Sequence, residues 1–141
     1  MQKQLCIPLI TIVPQLKQEK MKSKQKYKQI WIVSVDIEAV SGYDFMELID
    51  RSDCNEALPE YIGAWANVII KSATINEALN LLEIGLKEKK FKIRFIDKIE
   101  NMYSLVEDDD INIDMIKEAE WLLSSQYCFM ISDKLWPYVN D

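Results

Sequence analysis

The stretch from Tyr61 to Tyr103 leaves this chain few choices of fold. It opens with a run in which Ala66, Val68 and Ile70 share one face and Trp65, Asn67, Ile69 and Lys71 the other, the period of a strand. Gly63 ahead of it suits a bulge or the close approach of another chain. Thr74-Ile-Asn-Glu77 is a capping box, in which the threonine hydroxyl and the glutamate carboxylate satisfy free amides of a starting helix. Ile75, Ala78, Leu79, Leu82 and Leu86 then recur at spacings of three and four, an apolar helical stripe that Leu81 and Ile84 widen. Lys87, Lys89 and Lys90 oppose the dipole at its end. Phe91, Ile93 and Phe95 follow on one face of a further strand, with Lys92, Arg94 and Lys98 wet. Strand, helix and strand in so short a span predict a right-handed crossover between parallel strands.

The remaining segments pair with this unit or pack on it. From Ile30 to Val40, Trp31, Val33, Val35, Ile37 and Ala39 alternate with Ser34, Asp36 and Glu38, a strand with one wet face. Two carboxylates so placed do acid–base chemistry only when burial raises one of them, and nothing in the pattern buries Asp36 or Glu38. Residues 41–60 form a long connection with a short helix around Tyr43 to Ile49 and acidic side chains throughout. Glu107-Asp108-Asp109-Asp110 lacks the alternation and glycine of a calcium loop and reads as the acidic entry to a helix over 113–125. That helix carries Ile116, Ala119 and Leu123 on a stripe widened by Met115 and Leu122. Tyr127, Phe129 and Ile131 alternate with Cys128 and Met130, a last strand with two apolar faces and therefore an interior one. Leu135 to Val139 is read as a C-terminal tail, with Trp136 and Tyr138 either packed over the sheet or exposed as anchors.

Charge and composition narrow the function classes. Residues 1–30 hold seven lysines and one glutamate, a net +6, while 31–141 hold 10 basic and 22 acidic groups, a net −12. A body this acidic repels phosphates, which argues against a nucleic-acid partner and favours a basic one. The chain has no histidine, which removes the usual general base and metal ligand, and no metal or cofactor is expected. Cys6, Cys54 and Cys128 lie far apart, which fits a reducing cytoplasm better than a disulfide framework. The apolar run Leu5–Val13 is too short to span a bilayer, so no membrane partner is expected. Residues 1–29 read as a basic leader, either disordered or the product of a mis-assigned start, ahead of one domain over 30–141, and Lys17-Gln-Glu-Lys20 before Met21 leads us to expect translation to start at Met21.

These segments compose an α+β fold in the order β-β-α-β-α-β. We expect a two-layer sandwich, a four-stranded sheet with both main helices on one face and ferredoxin-like layering. The runs Gly63-Ala-Trp-Ala-Asn-Val-Ile-Ile, Ala73-Thr to Glu77-Ala-Leu and Phe91-Lys-Ile resemble those of small bacterial ferredoxin-like proteins of unassigned activity, over about 31–133, with Lys90 where that group tends to have glycine. In size, charge and architecture the chain also resembles the immunity proteins of polymorphic-toxin and contact-dependent inhibition systems. The resemblance implies a non-catalytic inhibitor that neutralises a basic toxin domain. The expected contacts are Asp44, Glu47, Asp50, Asp53 and Glu56 in the long connection, and Glu107, Asp108, Asp109 and Asp110 in the acidic run. The alternative is a ferredoxin-like regulatory or small-ligand module acting as a homo-oligomer, which Trp31 and Trp65 motivate. An enzyme is not expected, for want of a Gly-rich phosphate loop, a nucleophile motif or a metal spacing.

Overall fold

A computed structural model describes residues 24–49 and 59–140. The first 23 residues, with the expected start at Met21, lie outside the described residues, as do Asp50, Asp53 and Glu56. The chain is an α+β protein. A 3-10 turn at Lys26–Gln29 leads into β1 (Ile30–Ala39), then α1 (Phe45–Leu48), β2 (Tyr61–Lys71), α2 (Ile75–Glu88), β3 (Phe91–Asn101), α3 (Met102–Glu107), α4 (Ile113–Ser124) and β4 (Phe129–Val139). The sheet order is β3-β1-β2-β4, and every neighbouring pair is antiparallel. β2 and β3 therefore run in the same direction, but they are not neighbours: β1 lies between them and pairs with both. The crossover spans one intervening strand. Alternation reports which way side chains point, not which strand lies alongside.

The expected placing of both main helices on one face is corrected. Val33, Val35, Ile37, Ala66, Val68 and Ile70 point to the first face and are buried with Ala78, Leu82 and Leu86 of α2 and Phe45 of α1. Ile30, Ile32 and Ile69, which point the other way, are buried with Met102 of α3 and with Met115, Ala119 and Leu122 of α4. Helices thus cover both faces, because β1 and β2 are apolar on both sides at the end where β1 begins. The reading of the last strand as interior is corrected too: β4 is an edge strand. Its two apolar faces reflect cover on both sides, with Phe129, Ile131 and Leu135 on the first core and Met130 on the second. The supposed tail Leu135–Val139 is the second half of that strand.

Local chemistry sets the helix ends. The side chains of Asp44, Thr74, Asn101 and Asn112 each accept an amide hydrogen bond from the turn they open. The capping box at Thr74 is shared with a third residue: Glu77 accepts from the buried Ser72 hydroxyl, and Ser72 Oγ accepts from the Thr74 amide. The Lys71 ammonium donates to the carbonyls of Leu122 and Ser125 and closes the C-terminal end of α4. At the exit of α2, Lys90 adopts φ 70°, the left-handed conformation that glycine takes without strain. Lys90→Gly is expected to raise stability by about 1 kcal/mol, read as a higher urea midpoint with unchanged slope.

The 3-10 turn ties the fold together ahead of residue 30. Tyr27 is buried in the second core, and its hydroxyl donates to Glu120 Oε1 at 2.5 Å, while Lys26 Nζ lies 2.7 Å from the same oxygen. Burial first, and then the Glu120 carboxylate, push the Tyr27 phenol up to about 12. Hydrogen bonds from Lys26 and Tyr27 hold Glu120 below its ordinary 4.5. A carboxylate depressed on folding stabilises above its unfolded value and loses that contribution as pH falls through the folded one. Glu120→Gln is therefore expected to flatten the fall in stability as pH drops below 4.5, measured by urea unfolding across that range.

Candidate functional site

The described residues cover the second face of the sheet over only half its length. Successive rungs, read across β3, β1, β2 and β4, show where the cover stops. Glu100, Ile32, Ile69 and Met130 form one rung, and Ile32 and Ile69 are buried beneath α3 and α4. Lys98, Ser34 and Asn67 form the next, where the cover ends. Beyond it Phe95, Asp36, Trp65 and Trp136 cross all four strands, followed by Lys92, Glu38, Gly63 and Tyr138. Phe95 is 58%, Trp136 46% and Trp65 37% exposed, so this aromatic rung is open to solvent. Three large rings on one bare sheet surface form the kind of patch that marks an interaction site.

A β-bulge brings Phe95 into the rung. Ile93 lies opposite Ile37 on the first face, but a register shift between Asp36 and Ile37 brings Phe95 opposite Asp36 on the second. The sequence reading, which put Phe95 on the face of Phe91 and Ile93, is corrected by that one irregularity. The rings of Phe95 and Trp65 meet edge to face over Asp36, with centroids 6.4 Å apart at 82°.

Polar groups brace the platform. The Tyr138 hydroxyl donates to Asp36 Oδ1 at 2.5 Å and accepts from Arg94 Nη1 at 3.2 Å. Burial and then the Asp36 carboxylate push the Tyr138 phenol up, which keeps it a neutral donor. Glu38 pairs with Lys92 at 3.2 Å and Arg94 at 3.8 Å. The Tyr138 ring lies so close over Gly63 that a Cβ there would meet its hydroxyl and the Ile37 carbonyl within 2.7 Å. What comes close to Gly63 is Tyr138 of this same chain, not another chain, and the β2–β4 register shifts beside it, between Tyr61 and Gly63. Asp36 thus links β1 to β4 across β2, Glu38 ties β1 to β3, and Trp136 and Tyr138 are parts of the platform.

An acidic wall borders the platform where the helices end. From Glu107 through Asp114 the chain has five carboxylates and no cation. Glu107 closes α3 and faces Tyr103, whose phenol it pushes up by accepting its hydrogen bond; Asp109 turns through φ 54°. Asp110 lines a hollow of about 200 Å³ with Ser34, Asn67 and Lys98, and Asp114 lines an adjoining one of about 380 Å³ with Asn67, Asp133 and Trp136. Glu118 stitches α4 to β4, accepting from Ser132 Oγ and the Asp133 amide.

The structure separates the two groups of expected contacts. Of the acidic run, Asp110 lines a hollow over the second face with Ser34 and Asn67, while Glu107 ends α3, whose Met102 is buried in the second core. Asp44 and Glu47 belong to α1, whose Phe45 packs on the first face, and Asp44 is occupied as a cap. Sequence reasoning missed the aromatic rung; its one signal was that Trp65 falls on the polar face of β2. Among the described residues no group of three or more acidic or cysteine side chains is placed to hold a metal, and no described helix is long and apolar enough to cross a membrane.

Fold and site together define an α+β protein whose helices leave an aromatic half-sheet open beside an acidic edge. Comparison with protein families, curated proteins and solved structures finds no match to this chain.

Proposed function

We propose that this chain is a non-catalytic binding protein that grips a basic protein partner on the bare half of its sheet, acting as an immunity-type inhibitor of a toxin domain in the cytoplasm. The observation that carries this reading is the open rung of Phe95, Trp65 and Trp136 with the carboxylates of Asp110 and Asp114 lining the hollows beside it. Exposed tryptophans at the centre of a surface are the side chains that dominate binding energies, and charge around them speeds encounter and sets register. A basic surface rich in arginine and lysine matches both parts, since cations are attracted to indole faces and to carboxylates alike. Asp36 and Glu38, the one carboxylate pair on the platform, are engaged by Tyr138, Lys92 and Arg94, which supports a bracing role over an acid–base one.

The test is co-expression with a toxin domain encoded beside this chain. The reading predicts rescue of growth and co-purification of the two proteins. Neither rescue nor co-purification would count decisively against it. A homodimer joined through the same aromatic rung, detected by light scattering, would favour the oligomeric module instead.

A further inference from the structure

Between the wall and the platform lies a cleft whose chemistry is more specific than the surface around it. Ser34 and Asn67 sit directly opposite each other on the two central strands, half-buried, with apolar rungs of the sheet on one side. Neither side chain hydrogen-bonds to another described residue, although the surrounding caps and braces are fully engaged. Asn67, Asn112 and Met115 line both hollows, so the two adjoin as halves of a cleft at this amide.

The walls carry acceptors that no described cation pairs with. Asp110 stands at one end, and Asp114 and Asp133 at the other, and none of the three forms an ion pair among the described residues. Of the three cations at the rim, Lys98 is paired with Glu100 at 3.3 Å, and Lys117 forms no ion pair among the described residues. Lys134 reaches over the mouth of the cleft, with its ammonium 5.5 Å from the centroid of Trp136. The chain's own lysine thus already places a positive charge on the indole that borders the cleft.

We infer that the cleft over Asn67 receives an arginine side chain of the partner, which displaces Lys134 from Trp136. This rests on the binding function proposed above and names the residue that the partner contributes. A guanidinium presents five donors in a flat fork and stacks on aromatic rings. Here it meets carboxylates on two sides, an amide and a hydroxyl beneath, and an indole at the entrance. An ammonium is a compact point charge and satisfies fewer of these acceptors at once.

The probe is the capped tripeptide Gly-Arg-Gly, titrated into the full chain and followed by the indole and Asn67 amide signals in nuclear magnetic resonance. Saturable shifts centred on Trp136 and Asn67 are expected. Replacing the arginine by citrulline, its neutral isostere, should weaken binding about tenfold or more, as should Asp110→Asn on the protein. Lys134→Ala should tighten it, because the competing cation is gone. Equal binding of the citrulline peptide, or shifts spread over the surface away from the cleft, would overturn the inference. Asp110→Asn changes an exposed side chain, so an unaltered spectrum of the free variant separates lost binding from lost fold. If the arginine peptide fails while a basic partner still binds the platform, only this inference falls; if no basic partner binds, the parent reading falls with it.

Discussion

Replacing Trp65 and Trp136 together by alanine is expected to weaken binding of the basic partner about a hundredfold or more while leaving the fold intact. The two residues are directly opposite each other across β2 and β4, and both are more than a third exposed. Each indole offers a large contact area with little conformational freedom to lose, and central tryptophans commonly cost about 2 kcal/mol or more when truncated. Their loss from the folded monomer costs far less, because neither belongs to either buried core. Calorimetric titration gives the affinity, and urea unfolding of the same samples gives the stability. An affinity changed less than about threefold would place the binding energy elsewhere. Lys117→Ala, at the far rim of the same cleft, serves as a control for general electrostatics and should change affinity little or tighten it.

Gly85→Val is expected to destabilise the fold by about 3 kcal/mol. Gly85 is buried on α2, and the Phe129 ring of β4 lies where its Cβ would be. A side chain there drives α2 off the sheet or forces Phe129 out of the first core. In a solvated helix the same change would stabilise, since glycine is a poor helix former. The sign of the result therefore reports the packing. Adding Phe129→Ala should return a large part of the loss, which gives a coupling energy of the kind seen between touching residues. Strictly additive effects would mean that α2 does not rest on Phe129.

Much of this architecture is legible in the residues, and what is not has identifiable causes. The face to which Val33 or Ile69 points follows from alternation, and the starts of α2 and α4 follow from Thr74 and from the apolar stripes. Strand order does not follow, because Val35 carries no mark of whether it pairs with Ala66, with Ile96 or, as here, with both. Two-sided apolarity identifies a strand with cover on both faces, and β4 shows that an edge strand qualifies. The aromatic rung was hidden for the same reason. Trp65, Phe95 and Trp136 belong to three separate strands, and two irregularities, one between Asp36 and Ile37 on β1 and one between Ala66 and Val68 on β2, bring them level. The acidic run 107–110 is plain as a run of charge. Its position across the sheet depends on α3 turning the chain back over the second face, and nothing in residues 102–107 announces that short helix.

The measurement closest to the central claim is a map of the partner's footprint by hydrogen exchange and indole resonances in the complex. The account predicts protection along residues 63–67 and 134–138, with shifts of the Trp65 and Trp136 indole signals and of the backbone amides at 108–114. A footprint centred on Asp44, Glu47 and α1, with the aromatic half-sheet left unprotected, would contradict it.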